Sequence, residues 1–153
     1  MKIRTLDTPV AIPQAILADV RRRHDDIFDS ILSALEVVDA VPPTLERRRE
    51  TRYPYPYPIH ITPIGHNGKP DVDRTFVVIG KHLAPHGIDF YCRQPLADRR
   101  VIVSLDGPHG WIGLEVELVW CRFNRHGCYD NGGRFTAVVP SPLRELDDRP
   151  RAA

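Results

Sequence analysis

Cysteine is scarce in this sequence: Cys92, Cys121 and Cys128 are the only three in 153 residues. So small and odd a number is no disulfide framework, and it fits a reducing compartment. No Cys-x-x-Cys pair occurs. His82 and His86 stand four apart, but Pro85 and Gly87 oppose the helix that would set both on one face as a zinc-binding pair. No metal and no cofactor is expected. Net charge is nearly absent as well, 21 Lys and Arg against 20 Asp and Glu. Global charge therefore attracts neither nucleic acid nor membrane, and any anion-binding function must come from local clustering. No apolar run approaches the roughly 20 residues that span a bilayer. The opening MKIRTLDTPVAIPQ lacks the apolar core of a signal peptide. The expectation is a cytoplasmic protein with no membrane and no nucleic-acid partner.

Catalytic patterns are missing too. Ser104 lies inside an apolar strand and Ser141 between prolines, so neither has the base and orienting group that activate a nucleophile. Phosphate-cradling GxGxxG and GxxxxGK[ST] patterns do not occur. Glu115 and Glu117 share a strand face near Trp111 and read as a solvated face rather than an acid pair. The chain is not expected to be an enzyme.

What is present divides into three parts: a helical segment over residues 1–43, a β domain over 44–140 and a tail over 141–153. Ile16, Val20, Ile27, Ile31, Leu35 and Val38 recur at threes and fours, which predicts an amphipathic helix over residues 13–38. Pro13 suits its first turn and Pro42-Pro43 ends it. The apolar stripe packs on the chain's own β body, or on a protein partner or second copy; His24 interrupts it, against a clean zipper. Then Tyr53-Pro54-Tyr55-Pro56-Tyr57-Pro58 forbids helix and predicts an extended, edge-like path. Strands follow at 59–62, 74–80, 87–92, 100–105, 111–122 and 132–139, the long one read as one strand or as two meeting near Gly113. Gly107-Pro108-His109-Gly110 and Asn124-Arg125-His126-Gly127 turn the chain. About six strands without a second long helix favour an antiparallel barrel or sandwich, and a barrel hides its edges. The tail is expected to hold a short helix near residues 142–146.

The informative cluster is Arg47-Arg48-Arg49 with Arg52, immediately before the first strand. Guanidinium groups grip phosphate bidentately, stack on aromatic rings and match the O6/N7 edge of guanine. Alone, such a cluster reads as a solvated linker. A barrel binding single strands through Tyr53, Tyr55 and Tyr57 is the nucleic-acid alternative, which the near-neutral charge disfavours.

The layout resembles the PilZ domain, a bacterial receptor module for the second messenger cyclic di-GMP. That family carries RxxxR in a linker ahead of a six-stranded barrel, here Arg48-Arg49-Glu50-Thr51-Arg52 with Arg47 as the frequent extra arginine. Its D/N-x-S-x-x-G motif corresponds to His82-Leu83-Ala84-Pro85-His86-Gly87, followed by Ile88-Asp89-Phe90. Leu118-Val119-Trp120 and Gly133-Arg134-Phe135 resemble the closing hairpin. The resemblance covers residues 45–139. It implies a mainly β fold, a six-stranded antiparallel PilZ-like barrel preceded by the helix. It also implies a ligand site of Arg47, Arg48, Arg52, His82, Ala84 and Gly87. The chain departs from the pattern at His82, in place of Asp or Asn, and at Ala84, in place of Ser. Ala84 forgoes a hydrogen bond worth roughly 0.5–1.5 kcal/mol, while His82 can donate or accept. Two expectations follow: a cyclic di-GMP receptor or adapter in bacterial signalling, or a degenerate PilZ domain acting through protein contacts.

Overall fold

The computed structural model describes residues 26, 27, 29–35, 44, 45 and 51–144. Arg47, Arg48, the end of the tail and most of the expected helix 13–38 lie outside the described residues. Those of the helix that are described, 26–27 and 29–35, are helical.

Eight strands are found among the described residues: β1 (Thr44–Leu45), β2 (Thr51–Pro54), β3 (Pro58–Pro63), β4 (Phe76–Leu83), β5 (Gly87–Cys92), β6 (Arg100–Gly107), β7 (Gly110–Phe123) and β8 (Tyr129–Val139). Every pairing between them is antiparallel. The order β4-β3-β6-β7-β8-β5 returns to β4, so six strands close into a barrel. This is the six-stranded antiparallel barrel that the PilZ resemblance implies. Closure leaves no free edge among the six. β2 adds to β4 beyond the end of β3, and β1 adds to β2.

Alternation explains the strands. Along β5, Ile88 and Phe90 point into the core while Asp89 faces out; along β6, Val101, Val103 and Leu105 point in. β7 is one continuous strand through Gly113, where two had been an alternative. Its hairpin to β8 turns at Asn124, whose Oδ1 accepts from the backbone N–H of His126 at 2.8 Å and of Cys128 at 3.1 Å. Gly127 supplies the positive φ of 81°. The alternating prolines interrupt the first barrel edge rather than ending it. Between β2 and β3 the Tyr55 N–H donates to the Lys81 carbonyl and the Tyr57 carbonyl accepts from Gly80 N–H, both at 2.9 Å. The segment thus stays bonded to β4 although Pro54, Pro56 and Pro58 have no N–H to give.

Ile27, Ile31, Ala34 and Leu35 are buried and join the same cluster as Ile59, Phe90, Val103, Leu114 and Val116. The helical stripe is thus covered by the chain's own body at these positions. Tyr55 is buried in that cluster, with Tyr53 and Tyr57 packed against it. The tyrosines therefore serve the core and are not an exposed stacking surface. Glu115 and Glu117 each take an arginine, Arg100 and Arg134, so the acidic face is an ion-paired one. After β8, Ser141 docks on the outside of β6 by a 2.7 Å hydrogen bond to Ser104.

Burial, and then the negative charges of Asp106 and Tyr57, push the Tyr55 phenol up to about 12. The folded protein keeps this proton where the unfolded chain, titrating near ~10, releases it. The contribution to stability is whole below pH ~10 and is lost as pH rises to about 12. The unfolding temperature should fall across that interval, and Tyr55→Phe should remove part of the fall.

Candidate functional site

A cleft of about 210 Å³ opens on the outer face of the barrel, lined by Arg52 of β2, His82 of β4, Ala84 of the turn that follows and Gly87 at the start of β5. These four sequence-predicted site residues come together at one place; Arg47 and Arg48 are outside the described residues. The ends of the arginine-bearing connection are fixed by pairing, Thr44 with Arg52 and Leu45 with Thr51.

The cleft is built on one row of side chains across four strands. His82 of β4 stands opposite Asp89 of β5, Asp89 opposite Gly132 of β8, and Gly132 opposite Trp120 of β7. Directly paired residues share a face, so all four positions look outward. Two register shifts make the row. One lies between Gly80 and His82, leaving Lys81 as an extra residue in β4. The other lies between Leu118 and Trp120, leaving Val119 extra in β7. With strict alternation from Gly80, Lys81 would oppose Asp89 and His82 would turn into the core. Bulges re-aim side chains in this way beside functional sites. Lys81 instead reaches Asp130 at 3.8 Å and lies over the Tyr91 ring, 5.4 Å from its centroid.

Asp89 is the electrostatic centre. Its side chain is only 10% exposed, and both its charged contacts fall on one oxygen: His82 Nδ1 to Oδ2 at 3.2 Å and Arg52 Nη1 to Oδ2 at 3.7 Å. The other oxygen, Oδ1, is buried and has no hydrogen-bond partner among the described residues. A buried polar atom left unpaired costs about 1–3 kcal/mol, and more on a charged group. Arg134 and His86 add cationic or protonatable groups to the lining, with Arg134 also held by Glu117 at 2.9 Å.

Trp120 forms the other wall. A Cβ added at Gly132 would stand 2.2–2.3 Å from three atoms of the indole. The ring therefore lies directly on the glycine backbone, and Arg122 sits 5.5 Å from its centroid. The turn from β4 to β5 is tight, with Ala84 N–H donating to the Gly87 carbonyl at 2.9 Å. A Cβ at Gly87 would meet the Gly133 carbonyl oxygen at 2.4 Å, so glycine is required for β5 to approach β8 there. Ala84, only 7% exposed, offers methyl where a serine would offer hydroxyl.

Asp89, Trp120 and Gly132 are not singled out as site residues by the sequence. The outward alternation of Asp89 between Ile88 and Phe90 is legible, but its burial depends on Arg52 and Trp120 arriving from other strands. Among the described residues no group of three or more His, Cys, Asp or Glu is placed to hold a metal ion. Nor is any described helix long and apolar enough to cross a membrane.

No family model and no curated protein matches the chain. Among solved structures it is similar to the PilZ domain with c-di-GMP of YcgR from Escherichia coli, at 16% identity and TM-score 0.43, covering 66% of this chain and 85% of that one. It is also similar to the K. pneumonia MrkH–c-di-GMP complex, at 13% identity and TM-score 0.42, covering 61% of this chain. The aligned part spans 46% of the MrkH chain, less than half its length. The likeness concerns the path of the barrel; the account of the cleft rests on the geometry above.

The contact between Trp120 and Gly132 makes a direct prediction. Gly132→Ala should lift the indole off β8, at a cost of about 1–3 kcal/mol for the overpacked site. In a Trp111→Phe background, Trp120 emission should shift and the unfolding midpoint should drop.

Proposed function

We propose that this chain is a receptor or adapter for cyclic di-GMP in bacterial second-messenger signalling, acting by binding and without turnover. The observation that carries the reading is the convergence of Arg52, His82, Ala84 and Gly87 on one cleft. These are the positions that the RxxxR and D/N-x-S-x-x-G motifs single out, and they lie about thirty residues apart in sequence. Arg47 and Arg48, on the connection whose ends are paired by β1 and β2, would supply the remaining phosphate contacts. The cleft volume of about 210 Å³ is smaller than the roughly 300–1,000 Å³ of pockets that enclose a whole drug-sized ligand. It therefore suits one base, with the phosphates lying across the arginine-bearing connection.

The output would be the N-terminal helix. A ligand bridging the arginines and the cleft would fix the β1–β2 connection, and with it the segment leading from the helix. Domain limits of 1–43, 44–140 and 141–153 express that division of labour, with sensing in the barrel and output in the helix, and the cytoplasm is where such a ligand would be met. Ala84 favours a second reading, a degenerate PilZ domain working through protein contacts. There the missing hydroxyl would leave the nucleotide unbound.

Titration calorimetry with cyclic di-GMP, at protein concentrations near 100 μM, separates the two readings. Saturable binding that Arg48→Ala with Arg52→Ala weakens at least about a hundredfold, two charged contacts at roughly 1.5–3 kcal/mol each, supports the receptor. Absence of heat at that concentration supports the protein-contact reading.

A further inference from the structure

We infer that Arg52 and Asp89 form a base-reading pair that accepts guanine and rejects adenine, with Asp89 supplying the acceptor that positions 82 and 84 do not. This rests on the reading of the cleft as a guanine-nucleotide site. The pair sets a donor group beside an acceptor: the Arg52 guanidinium lies 3.7 Å from Asp89 Oδ2, and Oδ1 of the same carboxylate is buried with no partner among the described residues. Guanine presents the complementary pattern on adjacent ring positions, a carbonyl acceptor at O6 and an N–H donor at N1. Adenine presents the reverse, an amino donor at position 6 and a bare acceptor at N1. Placed against this pair, adenine would set donor against guanidinium and lone pair against carboxylate. Guanine would satisfy the orphaned Oδ1 and give Arg52 an oxygen.

The surroundings favour a flat, one-sided ligand. Gly132, directly opposite Asp89, carries no side chain, so the Trp120 indole packs over it. Trp120 follows in the same row as an aromatic surface against which a base can lie. His82 Nδ1 reaches only Oδ2, so the histidine standing at the motif's acidic position orients the carboxylate and leaves Oδ1 for the base. The acidic function has moved from the first motif position in β4 to the facing position in β5, across a single strand pair.

Hypoxanthine keeps O6 and N1–H and lacks only the 2-amino group, so it distinguishes this pair from any contact with that amino group. The experiment measures binding of full-length protein to cyclic di-GMP, its inosine and adenosine counterparts and GTP, by direct titration or by competition. It compares wild type with Asp89→Asn. Wild type should bind the guanine and hypoxanthine dinucleotides within a few fold of each other and the adenine one at least about tenfold more weakly. An amide offers either a donor or an acceptor, so Asp89→Asn should lower guanine affinity and narrow the guanine-to-adenine ratio by about tenfold. Equal losses for all bases would make Asp89 a support for Arg52 only and would overturn the inference, leaving the receptor reading intact. Binding of GTP without the cyclic dinucleotide, with the same dependence on Asp89, would keep the base-reading pair and overturn the cyclic di-GMP assignment. No guanine ligand bound by wild type would overturn both.

Discussion

The pairing of β4 with β5 closes the barrel, and the place where that pairing slips by one residue decides what the cleft contains. From Gly80 opposite Phe90 the register jumps to His82 opposite Asp89 and then Leu83 opposite Ile88. Leu83 and Ile88 are both in the core, so the inward pattern is regained immediately beyond the shift. The outward residue is thereby changed from Lys81 to His82. A second slip, at Val119, does the same on β7 and brings Trp120 outward over Gly132. Remove either irregularity and the period-two alternation carries its residue to the wrong side. The row His82–Asp89–Gly132–Trp120 is thus a product of two bulges flanking one regular pairing, Asp89 with Gly132.

Burial of Asp89 sets the electrostatics of everything around it. A carboxylate this enclosed must be compensated, because desolvation of a lone ion costs several kcal/mol. Arg52 and His82 compensate it from β2 and β4, both through Oδ2. Arg52 thereby ties the short outer strands to the barrel by charge, in addition to the β2–β4 ladder. The connection bearing the other arginines begins at that tie, since Arg52 also pairs with Thr44 in β1. An anionic group near Asp89 would meet repulsion from the carboxylate, whereas a base with a donor edge would not. On the proposed reading, the polarity of the cleft separates the place for a base from the place for phosphate.

Much of the barrel was legible in the sequence because the signals are local. Period-two alternation found β5 at its observed bounds, and the glycine and asparagine turns were where they were expected. The helical stripe was legible for the same reason, and its described residues are buried in the chain's own core. The interruption between β2 and β3 was half legible: the prolines announced an extended edge, but not that Tyr55 would turn into the core while its backbone stayed bonded to β4. The cleft was legible only where a motif marked it, at Arg52, His82, Ala84 and Gly87. Asp89 and Trp120 escaped because their roles arise from cross-strand register. Nothing in Glu117-Leu118-Val119-Trp120 announces that Val119 is the extra residue.

That asymmetry bears on how the altered second motif should be weighed. Judged by linear position, His82 and Ala84 look like losses, since an acid and a hydroxyl have gone. Judged by the row, an acid is present one strand away, directly opposite the histidine at the motif's acidic position and within hydrogen-bond distance of it. Residues paired across an antiparallel ladder lie about 4.5–5.5 Å apart, which is less than the length of the groups they would recognise. A polar function can therefore cross a strand pair and still face the same space. The hydroxyl is different: Ala84 sits buried in a tight turn and no described residue returns that group to the cleft. If Asp89 reads the base as inferred, one of the two departures from the PilZ pattern is an exchange of position and only the other is a deletion.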